Sequence, residues 1–94
     1  MKIDGWIAGY DDVGTPMFDS QIVIGGTMHY YLQVKQRNRW KYQLVMGENN
    51  TDDKLILWLF EAPSLPQAVQ KVNRSMNTIV WPKVQDALDN HFWS

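Results

Sequence analysis

The run Lys54-Leu55-Ile56-Leu57-Trp58-Leu59-Phe60-Glu61 constrains the fold more than any other stretch of the chain. Six apolar residues stand without a break between a lysine and a glutamate. A helix that crosses a bilayer needs about 20 apolar residues, so this run is too short to span a membrane. An Asn/Asp-rich turn precedes it and Pro63 follows, so it reads as a strand buried on both faces. Side chains alternate along a strand, which sends Leu55, Leu57 and Leu59 one way and Ile56, Trp58 and Phe60 the other. Such a strand needs apolar cover above and below. The C-terminal third of the chain can supply one layer. The second layer is expected from the first hairpin folding over the strand, as in a small barrel or sandwich, or from a second copy of the chain.

The strands before this run follow from alternation and turn chemistry. The pattern predicts an α+β domain over residues 1–94, an antiparallel meander of four to five strands at about 3–10, 17–24, 28–36, 39–47 and 54–61. In the first strand either Trp6, Ala8 and Tyr10 or Ile3 and Ile7 face inward, since Gly5 and Gly9 blur the alternation. Asp11 to Pro16 has the chemistry of a turn, with Gly14 for an unusual φ and Pro16 for a fixed one. In the second strand Phe18, Ile22 and Ile24 share a face. Gly25-Gly26 serves as a two-residue turn, which would set Ile24 opposite Thr27 and mix the faces, or as a bulge or wider bend. The third and fourth strands alternate most cleanly. Pairing their apolar faces sets Val34 opposite Trp40, Leu32 opposite Tyr42 and Tyr30 opposite Leu44. This closes a three-residue loop at Gln36-Arg37-Asn38, with Asn38 in the left-handed region.

After Pro63 the period changes to that of a helix. Leu65, Ala68, Val69, Val72, Met76, Ile79 and Val80 form one stripe. Ser64 and Gln67 have the spacing of a capping box, and Pro66 sits in the first turn. Trp81-Pro82 is expected to interrupt the helix, giving two helices at about 64–80 and 82–92, or one kinked at the proline. Val84, Ala87, Leu88 and Phe92 then form the second apolar stripe that packs on the sheet.

The search for catalytic chemistry finds no nucleophile–base pair, metal-ligand spacing or phosphate loop. His29 and His91 are the only histidines, and there is no cysteine. Asp89 and His91 stand two apart on a helix and so point in different directions. The adjacent pairs Asp11-Asp12 and Asp52-Asp53 lie in turns, where solvated carboxylates are usual. Residues 48–53 are rich in side-chain oxygen but lack the spacing and central glycine of an EF-hand loop. No catalytic, cofactor-binding or metal-binding residue is assigned, no cofactor is expected, and an enzyme is the least favoured class.

Two features point to binding. Lys35, Arg37, Arg39 and Lys41 place four of the nine basic residues in a short segment of a chain whose formal net charge is −1. With Tyr31 as a stacking platform they form a candidate polyanion or nucleic-acid surface, Lys35 facing Arg39 in the predicted register. Edge protection by basic residues, or pairing with the N-terminal aspartates, accounts for the same pattern. The second feature is an excess of aromatics, including five tryptophans. Aromatic residues are enriched at the centres of protein interfaces, which makes Trp58, Phe92 and Trp93 candidate anchors. The leading expectation is a small non-enzymatic interaction module that binds a protein partner or forms a homodimer. Nucleic-acid binding is the alternative, and no membrane partner is expected. The first residues lack the apolar core of a secretory signal, so the cytoplasm is the expected compartment.

Overall fold

A computed structural model of the chain describes residues 5–93. Five strands form one antiparallel sheet in sequence order: β1 (Ile7–Tyr10), β2 (Pro16–Ile24), β3 (Met28–Gln36), β4 (Lys41–Glu48) and β5 (Lys54–Glu61). Helix α1 (Leu65–Arg74) and helix α2 (residues 76–92) follow and pack on one face, an α+β arrangement. The core lies between these layers. Leu32, Val34, Leu44 and Met46 of the central strands meet Ala68, Val72, Met76, Val80 and Val84 of the helices, all of them buried.

Trp6 lies on the helix side, half-buried, and its indole N–H donates to Asn73 Oδ1 at 3.3 Å. Ile7 points to the other face and is exposed. Of the set expected to face inward with Trp6, Ala8 is exposed and Tyr10 is 73% exposed, so β1 itself adds neither residue to the core; Ile3 lies outside the described residues. Asp11 organises the first turn by accepting the Val13 and Thr15 N–H groups on Oδ1 at 3.0 and 2.8 Å. At Gly25-Gly26 both residues have positive φ, 65° and 81°. The bend is wider than two residues: Ile24 pairs with Met28 and Ile22 with Tyr30, so the faces stay unmixed.

The β3–β4 hairpin has a different register from the one alternation predicts. Val34 faces Leu44 rather than Trp40, and Leu32 faces Met46 rather than Tyr42. Both registers differ by an even number of residues, so each keeps the apolar face intact and pattern alone cannot separate them. Packing does separate them. The observed register places Tyr31 opposite Gly47, where a Cβ would collide with the phenol end of the tyrosine. It also leaves Trp40 in the turn, 52% exposed, and Asn38 outside the left-handed region.

Ser64 caps α1, accepting the Gln67 N–H on Oγ at 3.4 Å and donating to Gln67 Oε1 at 3.1 Å. The helical path breaks at Ser75 and not at Trp81-Pro82. Trp81 has helical angles, φ −61° and ψ −40°. Its N–H reaches back to Met76 O within a π-helical turn at Met76–Val80. The widened turn ahead of Pro82 accommodates a residue that lacks an N–H and crowds the preceding turn, so the helix continues through it. A second π-helical turn, Leu88–Phe92, ends α2.

The largest departure concerns residues 54–61. β5 is the last strand of the meander and therefore an edge, with helices on one side only. Leu57 and Phe60 are buried, Leu55 and Trp58 half-buried, while Ile56 and Leu59 are 44% and 57% exposed. The first hairpin does not fold over β5 to supply the expected second apolar layer. A meander gives its final strand one neighbour, and the first hairpin extends the sheet at the opposite edge.

Candidate functional site

The backbone of β5 defines the site. At one end the Glu48 N–H donates to Asp53 O, and at the other the Ala62 N–H donates to Trp40 O, both at 3.1 Å. Residues that exchange hydrogen bonds across an antiparallel ladder alternate with residues that do not. Counting from the first end, Asp53 and Leu55 turn their N–H and C=O toward β4, while Lys54 and Ile56 turn theirs away. From the second end, Ala62, Phe60 and Trp58 face β4, while Glu61 and Leu59 face away. The two counts are one residue out of step, and Leu57 absorbs the difference. Leu44 pairs with Trp58 and Val45 with Ile56, so Leu57 is the extra residue of a β-bulge.

The bulge explains the side chains as well as the backbone. Leu57 and Trp58 both turn toward the helices, and Leu55 and Phe60 join them. Lys54, Ile56, Leu59 and Glu61 lie on the open face. These same four residues present their backbone groups at the sheet edge. The Lys71 ammonium donates to Glu61 O at 3.1 Å, which agrees with that carbonyl pointing away from β4. Two cavities flank the edge on the helix side, one of about 580 Å³ bordered by Trp58, Phe60 and Lys71, the other of about 280 Å³ bordered by Leu55, Leu57 and Lys83.

An unprotected edge strand is unusual. Proteins generally shorten such strands or place charges and prolines along them. β1, the other edge, is only four residues long and contains Gly9. β5 is eight residues long and has no charge, proline or glycine between Lys54 and Glu61. Of the two edges, β5 is the one left open to another strand.

Two cations of the basic segment, Lys35 and Lys41, are ion-paired within the chain. Lys35 Nζ lies 3.2 Å from Asp11 Oδ2, in a pair whose side chains are 18% and 17% exposed. Lys41 Nζ lies 2.8 Å from Glu61 Oε1. Arg37 donates to Gln43 Oε1 at 3.4 Å, and the Arg39 guanidinium sits 5.8 Å from the centre of the Trp40 ring. Lys35 faces Gln43 across the hairpin and not Arg39, so the like-charge juxtaposition of the predicted register does not form. The Thr15 N–H bond holds the Asp11 carboxyl below its ordinary value, with Lys35 adding to the effect. Lys41 does the same for Glu61.

Tyr31 lies on the open face over Gly47, in a concavity of about 730 Å³ that also includes Asp11, Asp19, Lys35 and Asp52. Burial raises the Asp19 carboxyl above its ordinary value, against a lowering hydrogen bond from Gln33. Burial also raises the Tyr31 hydroxyl, and the charges of Asp19 and Asp52 push it further up. The surroundings of Tyr31 are thus acidic, which opposes a phosphate stacked beside it.

The candidate aromatic anchors separate into two places. Trp58 stacks on Phe60 on β5, with ring centres 4.5 Å apart. Phe92 meets Tyr30 edge-on at 5.2 Å, and the Trp93 indole N–H donates to the Tyr30 hydroxyl at 2.9 Å. Trp93 remains 45% exposed, yet it and Phe92 anchor the end of α2 to the start of β3. The residues that sequence reasoning missed are Ile56 and Leu59. A signal was present: the last strand of a meander is an edge, so one of its faces can stay wet however apolar its sequence.

His91 Nε2 lies 2.6 Å from Asp53 Oδ1 and ties α2 to the β4–β5 turn, while His29 is exposed on the open face. Among the described residues no three His, Asp or Glu side chains form a group able to hold a metal, and no helix is long and apolar enough to cross a membrane. No protein-family model matches this chain, and no curated protein or solved structure matches it significantly.

Proposed function

We propose that the chain is a non-enzymatic protein-interaction module that binds by strand addition along β5. One observation carries this reading: an eight-residue edge strand with no internal charge turns the backbone groups of Lys54, Ile56, Leu59 and Glu61 away from β4, the Glu61 carbonyl already accepting from Lys71, with apolar side chains exposed beside them. Strand addition supplies main-chain hydrogen bonds for affinity and side-chain contacts for selectivity. Of the sequence-derived anchors, Trp58 belongs to this surface, whereas Phe92 and Trp93 support it from within the fold. The polyanion alternative draws less support, because Lys35 and Lys41 are already ion-paired.

Amide hydrogen exchange tests the reading. In dilute protein the Ile56 and Leu59 amides exchange fast, while those of Leu55 and Phe60 are protected by β4. Adding a synthetic peptide of alternating valine and threonine, or raising the protein concentration, is expected to protect Ile56 and Leu59. If neither addition slows these two amides, strand addition at β5 is wrong.

A further inference from the structure

We propose that the strand completing β5 comes from a second copy of this chain, antiparallel across a twofold axis that passes between Leu57 and Trp58. The inference rests on strand addition at β5 and names its partner. In a regular strand an axis between two residues fails. Each residue would face one of opposite parity, with side chains on the wrong face and backbone groups turned the wrong way. The bulge removes that obstacle. Because Leu57 and Trp58 both face β4, the outward positions fall symmetrically about them, Lys54 and Ile56 on one side and Leu59 and Glu61 on the other.

The sequence of β5 is self-complementary about this axis. Lys54 faces the partner's Glu61, and Glu61 faces the partner's Lys54, so the strand ends carry two opposite-charge pairs. Glu61 uses Oε1 for Lys41 in its own chain, leaving its second oxygen for the partner's Lys54. Ile56 faces the partner's Leu59 on the open face, and the reciprocal contact covers the two most exposed apolar side chains of β5. On the helix side Leu55 faces the partner's Phe60 and Leu57 the partner's Trp58. Both strands carry the bulge at the same height, so their spacing matches along the whole contact. The result is one continuous sheet through both copies. A symmetric dimer with a self-complementary patch is the commonest form of homo-oligomer.

Cross-linking reads the register directly, since the chain has no cysteine of its own. In this register residue 56 of one chain lies about 5.5 Å, Cα to Cα, from residue 59 of the other, within disulfide reach. Neither position lies opposite itself. Ile56→Cys chains mixed with Leu59→Cys chains are therefore expected to form a disulfide dimer under mild oxidation, and neither variant alone. A charge test is independent of cysteine. Lys54→Glu and Glu61→Lys are each expected to raise the concentration for half-dimerisation about tenfold by light scattering, because like charges then face one another at both ends. Mixing the two variants restores opposite pairs and is expected to favour the heterodimer. Self-cross-linking of either cysteine variant, or insensitivity to both charge changes, overturns the register. A chain that stays monomeric at millimolar concentration while the valine–threonine peptide protects Ile56 and Leu59 overturns self-pairing and leaves strand addition standing. Loss of protection by every probe overturns both.

Discussion

Gly47→Ala probes the close contact that accompanies the β3–β4 register. Gly47 is buried, faces Tyr31 across the strands, and has no room for a Cβ while the tyrosine ring lies over it. Aromatic side chains laid over strand glycines are a recurring device for pinning register. An alanine at this site forces the ring to swing off. If that movement uncovers about 70 Å² of apolar surface, it costs about 2 kcal/mol at 25 cal/mol per Å². Against this, alanine in a strand interior is better than glycine by about 0.5–1 kcal/mol for reasons of backbone entropy. The net expectation is a loss of about 1 kcal/mol, or a fall in Tm of about 4–8 °C for a domain of this size. In a Tyr31→Ala background the steric term disappears and Gly47→Ala is expected to stabilise. The reversal of sign is the test. Urea unfolding of the four members of the cycle, at a protein concentration where the chain is monomeric, yields a coupling of about 2 kcal/mol. Equal effects of Gly47→Ala in both backgrounds would refute the placement of Tyr31 and, with it, the physical reason given for the register.

Two further expectations concern charge and packing. Asp19 has its folded-state carboxyl raised by burial above the ordinary 3.8, so the folded chain binds its proton more tightly than the unfolded one. Its contribution to stability falls as pH rises through this range and stays reduced at neutral pH. Asp19→Asn is therefore expected to stabilise at about pH 7 and to lose that advantage near pH 3, measured by urea midpoints; an advantage equal at both would contradict the assignment. Met76, fully buried where α2 begins, is expected to cost about 2–5 kcal/mol when replaced by alanine, with an unchanged denaturant slope. A loss well below 1 kcal/mol would mean that the wide helical turn at this residue collapses onto the cavity.

What the sequence determined by itself was local. The alternation of Tyr30, Leu32 and Val34 with Tyr31, Gln33 and Lys35 defined which side of β3 is core, because a strand's side-chain period is two. The stripe from Ala68 through Val72 and Met76 to Val80 did the same for the helices, and Ser64 marked where they begin. The turns at Gly14 and Gly25-Gly26 followed from residues that tolerate positive φ. Tertiary structure decided everything that depends on which partner a strand meets. Slipping β3 against β4 by an even number of residues leaves every face unchanged, so only the fit of the Tyr31 ring over Gly47 and of Leu32 against Met46 separates the registers. The helix passed Trp81-Pro82 because a wider turn was available there. The residues of β5 read as doubly buried because they are uniformly apolar, yet their position at the end of a meander leaves Ile56 and Leu59 open. That openness, together with a bulge no periodicity encodes, turns a hydrophobic run into a self-complementary edge.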